Sequence, residues 1–394
     1  MTGEGHNRRS RGLRAVLALA GAPVFASAAL ALRALALGAV ALGALAFAAL
    51  HAANAGAALE SPPLPPRGPS VAYVTETARS PASVWVQRVS GLQRRRLGPG
   101  EQPLIAPSGQ QVAASLFGAG PSEDGPALAI YPSEEGRPTL TFLSLADVTA
   151  TPLSWSPDLR YLAVYVQSTA VREIARRSGL AVIDLGTDTV KMIASGVIYG
   201  ASFAPDGSDQ LVYARSRSLD YEAPVNLYVA HADGSSTVAI SHDGRSLNPV
   251  WGHLGIAFDR ERLRRGFAPQ YQIWMSAPDG AGAVRLTDVK AGKLVSGLVP
   301  LHFCTDGTRL LAEFEGQDTS EAWTVRVRAR RAHRLRLHGR PLIGAGISGN
   351  GASVLVDEGS FEEPPSRGRI ATMPFAGGAA KVIVAHGAQA SWNG

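Results

Sequence analysis

A short apolar strand, a Pro/Asp/Gly-rich turn and a second strand of the form apolar-Ala-apolar recur along the chain, and this repeat constrains the fold more than any other feature. The turns read Ala106-Pro107-Ser108-Gly109, Trp155-Ser156-Pro157-Asp158, Phe203-Ala204-Pro205-Asp206-Gly207, Trp251-Gly252-His253, Phe303-Cys304-Thr305-Asp306-Gly307, Ile347-Ser348-Gly349-Asn350-Gly351 and Ser391-Trp392-Asn393-Gly394. Successive turns lie about 44 to 53 residues apart, room for four short strands and their connections. The second strands include Leu162-Ala163-Val164-Tyr165, Leu211-Val212-Tyr213-Ala214, Gly255-Ile256-Ala257-Phe258 and Leu310-Leu311-Ala312. Third strands often carry an aromatic residue, as in Val84-Trp85-Val86, Leu227-Tyr228-Val229, Ile273-Trp274-Met275 and Ala322-Trp323-Thr324, and a fourth follows, as in Val284-Arg285-Leu286-Thr287. No stretch after residue 70 has convincing helical periodicity, so the class is all-β.

The ends complement each other. The repeat region opens with a second-type strand, Val71-Ala72-Tyr73-Val74, and finishes with a first-type strand, Ala390-Ser391-Trp392. If the last strand completes the first unit, no edge is left exposed at the seam. Four-stranded units of this period are the blades of β-propellers, and counting them predicts a seven-bladed ring over residues 71–394, closed by the C-terminal strand. The unit resembles the repeat of TolB-like (WD40-like) propellers, best at Trp155-Ser156-Pro157-Asp158 and Phe203-Ala204-Pro205-Asp206-Gly207. The blades at Trp251 and Ile347 depart from it. The resemblance implies the fold; propellers serve as platforms for many tasks, so it implies little about activity.

Ahead of the repeats the sequence changes character. Arg8, Arg9, Arg11 and Arg14 precede an apolar run from Ala15 to Leu32, Arg33 interrupts, and Ala34 to Leu50 is apolar again. Basic residues before an apolar run keep the N-terminus cytoplasmic and send the rest across. Residues 1–57 are therefore expected to act as a signal peptide, cleaved near Ala55 or Ala57, or as an uncleaved hydrophobic helical anchor. A Pro-rich linker, 58–70, follows, with five prolines between Pro62 and Pro69, which favours extended polyproline II. Both readings place the repeats outside the cytoplasm.

Six of the 38 Lys and Arg and two of the 32 acids precede Val71, which leaves 32 bases and 30 acids in the rest. That near-neutral balance argues against nucleic acid as a partner. Cys304 is the single cysteine, so no intramolecular disulfide or Cys/His zinc site is expected. Asp158, Asp206 and Asp306 occupy tight turns, where a carboxylate accepts backbone hydrogen bonds, so they are expected to be structural. His253 and His302 fall on or beside first strands of adjacent units and are candidates to line a central channel. No cofactor, metal site or catalytic group is expected: around Ser348 the chain reads Gly346-Ile347-Ser348-Gly349-Asn350, which is not a nucleophile elbow, and there is no phosphate loop or dinucleotide fingerprint.

Two basic stretches remain. Asp259 to Arg265 carries Arg260, Arg262, Arg264 and Arg265 in an expected long loop. Arg326, Arg328 and Arg330, followed by Arg334 and Arg336, alternate, which would align them on one face of outer strands. Such a face either guards a sheet edge or contacts an anionic envelope polymer or lipid headgroups. The sequence thus points to an extracytoplasmic binding or scaffold protein with a protein or anionic envelope partner. The alternative is a channel-mouth hydrolase, of lactone or sugar-ester type, using His302 and acids from rim loops.

Overall fold

The computed structural model describes residue 68 onwards, except 78–79, 117–125, 135–137, 139, 145–147, 170–173, 221, 263–269, 291–295, 317–318, 338–340, 360–363 and 394. The expected export segment and most of the linker lie outside the described residues. Among the described residues no helix is long and apolar enough to cross a membrane.

The strands form five four-stranded sheets and one eight-stranded sheet, ordered by sequence with one exception. Sheet I joins Ser70–Thr77, Ser80–Arg88 and Arg95–Pro99, and its free edge is taken by the last strand, Ala388–Trp392. Sheets II, III and IV span 101–144, 148–195 and 197–239, sheet V spans 246–334, and sheet VI spans 342–384. Apart from the last strand in sheet I and one parallel contact in sheet V, neighbouring strands run antiparallel in hairpin order. Among the described residues the single helical element is one turn, Ile174–Arg177.

Sheet V is two four-stranded groups meeting at a corner, where Gln270 and Tyr271 pair in parallel with Ser296 and Gly297. The approach requires a glycine. A Cβ at Gly297 would lie 2.2 Å from the Tyr271 carbonyl oxygen, closer than any real side chain comes.

The first strands of consecutive groups touch one another along the whole series, Leu342–Ile347 touches Ala388–Trp392, and that strand touches Glu101–Ile105. These are the inner strands. Apolar residues of the second strands alternate between two neighbours, as a period of two demands for a strand buried on both faces. Leu211 and Tyr213 pack toward sheet III, while Val212 and Ala214 pack toward sheet V. Seven apolar clusters result, each bridging two consecutive groups, and one joins Val71 and Tyr73 of sheet I to Leu355 and Ile370 of sheet VI.

A polar bond recurs between inner strands. The serine before the terminal aromatic accepts the backbone N–H of the equivalent residue in the next inner strand: Ser154 from Phe203 at 3.1 Å and Ser202 from Trp251 at 3.0 Å. The turns that follow behave as expected, with Asp158, Asp206 and Asp306 each accepting the backbone N–H two residues on. Asp306 also accepts from the Cys304 thiol and the Thr308 hydroxyl, which hold its ionisation down at about 2. Cys304 is buried in an apolar cluster, where burial pushes its thiol up.

Candidate functional site

His302 and His253 part company in the structure. His302 lies within the inner strand Ser296–Phe303, and its side chain is exposed. Protein nevertheless surrounds the ring closely enough that lost solvation pulls its ionisation down to about 4, leaving a neutral imidazole at physiological pH. His253 is not on the strand: Ser246–Gly252 ends one residue earlier, and His253 sits exposed in the turn with Leu254. The cause is the tight connection from Gly252 to Gly255, which pair directly and leave two residues to make the turn.

The second strands of the last three groups hold a feature that charge counting conceals. Counting from the residues paired with Trp251, Phe303 and Ile347, which are Ile256, Leu310 and Val354, the fourth position is Asp259, Glu313 and Asp357 in succession. These side chains are at most 7 % exposed, where ionised carboxylates are rare without partners. Among the described residues, Asp259 Oδ1, both Glu313 carboxylate oxygens, Glu315 Oε1 and Asp357 Oδ1 have no hydrogen-bond partner. Asp357 Oδ2 accepts the N–H of Ala390 at 3.1 Å, tying sheet VI to the terminal strand. Burial raises all four: Asp259 and Asp357 to about 7, Glu315, with the charge of Asp259 adding, to about 8, and Glu313, with the charges of Glu315 and Asp357 adding, well above the usual range. Among the described residues no three His, Cys, Asp or Glu are grouped to hold a metal ion.

The basic stretches are arranged differently from their sequence pattern. Gly255–Arg262 is a continuous strand, so Arg260 and Arg262 are not in a loop; Arg264 and Arg265 lie outside the described residues. Arg260 pairs with Asp243 at 2.7 Å and lies 4.7 Å over the Trp274 ring, which consumes its charge locally.

Alternation does not align Arg326, Arg328 and Arg330. The strand Ser320–Arg326 stops at Arg326, and residues 327–330 form the hairpin turn, with Arg330 at φ 50°. Arg328 and Arg330 are exposed on that turn, Arg334 forms an ion pair with Glu321, and Arg336 is exposed past the end of Arg331–Arg334.

Register brings together a different set. Arg309 pairs with Arg326 on the next strand, and Arg326 pairs with Arg331 on the strand after, so three arginines stand side by side across the sheet. Two residues along, on the same face, Leu311 pairs with Thr324 and Thr324 with His333. Thr324, Arg326, Arg331 and His333 line a cleft of about 230 Å³ closed by Phe375 and Ala376 of sheet VI. The Arg309 and Arg326 guanidinium carbons lie 5.3 and 6.0 Å from the Phe375 ring centroid. Gly377 at φ +86° lets the turn approach His333, whose Nε2 would be 3.2 Å from a Cβ there. Neither Arg309, a distant partner in sequence, nor Arg331 is visible in the alternation.

Comparison with solved structures decides the architecture. The β-propeller domain of the Trilobed protease from Pyrococcus furiosus is similar over 80 % of this chain and 92 % of its own, with a TM-score of 0.57 and 13 % identity. The chain folds as a β-propeller. A puromycin-hydrolyzing peptidase of Mycobacterium tuberculosis is similar over 81 % of this chain, with a TM-score of 0.53 and 15 % identity. TolB from Acinetobacter baumannii is similar over 82 % of it, with a TM-score of 0.49 and 14 % identity. The chain spans 54 % of that peptidase and 66 % of that TolB. No protein-family model and no curated protein matches the chain.

Proposed function

We propose that the chain is an extracytoplasmic binding scaffold: a seven-bladed propeller, residues 71–394, that presents its rim to a protein or anionic component of the cell envelope. Reading the eight-stranded sheet as two blades supports the count of seven, because only two residue pairs join its halves. Ring closure is supported by Val71 and Ala72 pairing with Trp392 and Ser391. The Pyrococcus domain, by contrast, has an open velcro topology. Export by residues 1–57, with or without cleavage, and a stalk over 58–70 follow from the basic and apolar pattern alone.

The observation that carries the binding reading is the hairpin of the sixth blade. Arg326, Arg328, Arg330, Arg331 and Arg336 are exposed there, and only Arg334 has an ion pair among the described residues. Five unmatched charges on one outer hairpin exceed what is needed to protect an edge, and they suit an anionic surface.

The rival hydrolase reading rests on His302, a neutral imidazole exposed on an inner strand and so oriented to a channel in a closed ring. One set of assays separates the two. A phosphatase reporter fused after Gly394 is expected to be active, proximity labelling from the full chain to mark envelope components reproducibly, and the purified chain to leave a panel of lactones and sugar esters intact. An inactive reporter, or turnover abolished by His302→Ala, would overturn the scaffold reading.

A further inference from the structure

We propose that the cleft between the sixth and seventh blades is a binding site for a phosphate-class oxyanion, held by Arg326, Arg331 and His333. The inference deepens the scaffold reading by naming a ligand class, and it rests on the cross-strand register.

Directly opposed like charges destabilise an antiparallel pair. Here the opposition occurs twice in one row, Arg309 to Arg326 and Arg326 to Arg331, and among the described residues no carboxylate lines the cleft. A chain that needed only a charged edge would place the arginines on alternate strands, or interleave glutamates as Arg334 does with Glu321. Arg309 is itself engaged, donating from Nη1 to the Gly351 carbonyl at 2.7 Å. It thereby leaves Arg326 and Arg331 as the pair whose donors are available, with His333 two residues along the same strand face as Arg331.

Paired strands are about 4.8 Å apart, so neighbouring guanidiniums can each donate to a different oxygen of one tetrahedral anion, the geometry at which arginine binds phosphate best. Phe375 is 3 % exposed and floors the cleft, so the ligand meets an apolar base and a cationic wall. Lowering the dielectric on one side strengthens each charge-assisted hydrogen bond. The anion removes the repulsion that the empty row carries, so binding and stability are coupled.

The test uses the full chain in neutral detergent. Inorganic phosphate at 10 to 50 mM (about the range for a weak single site) is compared with sodium chloride at equal ionic strength, reading the melting temperature. Phosphate is expected to raise it beyond chloride. In Arg326→Gln/Arg331→Gln the phosphate response is expected to disappear while the melting temperature without phosphate rises, since the repulsion is gone. Arg328→Gln/Arg330→Gln, on the turn, is expected to keep the full response. Glycerol phosphate in place of inorganic phosphate separates the sources: an equal or stronger response assigns the site to phosphate esters of envelope polymer or lipid headgroups, and a response to inorganic phosphate alone assigns it to the free ion. An equal response in wild type and the 326/331 variant, or none beyond ionic strength in the wild type, would overturn the site. Either result leaves the scaffold reading standing, because that reading fails instead by an inactive reporter or by ester turnover.

Discussion

Ser391 accepts the backbone N–H of Ile105 at 3.1 Å, across 286 residues of sequence, and in doing so repeats the bond that Ser154 makes with Phe203 across 49. The seam between the two ends of the chain is thus built with the same part as the joints in its middle. Ile105 is buried, so removing its acceptor leaves an unsatisfied N–H, at a cost of about 1–3 kcal/mol. Ser391→Ala is expected to lose that much in a denaturant titration, and Ser154→Ala and Ser202→Ala to lose a similar amount. A loss confined to the two mid-chain serines would mean that the seam is not a structural joint.

The buried acids set the pH dependence. Asp259, Glu313, Glu315 and Asp357 hold their protons more tightly in the fold than in the unfolded chain, so the folded state binds more protons and stability falls as pH rises. The loss begins above the ordinary carboxylate range and, for Asp259, Asp357 and Glu315, is complete once pH passes the folded values near 7 to 8. His302 works the other way, its stabilisation lost as pH falls from 6.5 toward about 4, so the window from pH 6.5 to 8.5 isolates the acids. Each unit of displacement is worth ~1.4 kcal/mol, which makes ~4 kcal/mol an upper bound for Asp357 alone, since an ionised carboxylate draws in water. The melting temperature is expected to drop across this window by several degrees, and Asp357→Asn and Glu313→Gln to flatten the drop. A flat profile in the wild type would contradict the burial of these groups.

The corner of the eight-stranded sheet gives a third expectation. Gly297→Ala places a methyl group against the Tyr271 backbone and forces the two blades apart, so a loss of more than about 3 kcal/mol is expected. Gly207→Ala meets nothing within 4 Å but must hold φ +74°, so its cost is limited to the left-handed backbone, roughly 1–2 kcal/mol. Equal melting temperatures for the two variants would show that the corner is loose.

Much of this fold was written in the sequence as punctuation. The Pro-Asp-Gly turns and the apolar second strands repeat because each hairpin needs the same backbone geometry and each second strand is buried on both faces. That is why the sequence pattern located the inner strand Ser296–Phe303 and the terminal strand Ala388–Trp392. The acids were legible too, as the fourth residue after each turn in Ile256-Ala257-Phe258-Asp259, Leu310-Leu311-Ala312-Glu313 and Val354-Leu355-Val356-Asp357, but net charge averages them away.

The arginine cleft was not legible. Alternation within Arg326–Arg330 assumes a strand, whereas the chain turns at Val327. The true partners of Arg326 are Arg309 and Arg331, set by pairing register, which local spacing does not encode. Whether His253 falls on or beside its strand was left open by the sequence, and the two-residue turn between Gly252 and Gly255 puts it beside, a detail of turn length rather than composition.

In the proposed closed ring the joining part is the strand Ala388–Trp392, which pairs with Ser70–Thr77 and carries Ser391 and the Ala390 N–H held by Asp357. The most direct test is the thermal unfolding of the chain lacking residues 388–394 beside the full chain. Closure predicts a large fall in melting temperature and a broadened transition, because an entire inner strand is lost and Val71 and Tyr73 are laid bare. Cooperative melting of the truncated chain at an unchanged temperature would contradict it.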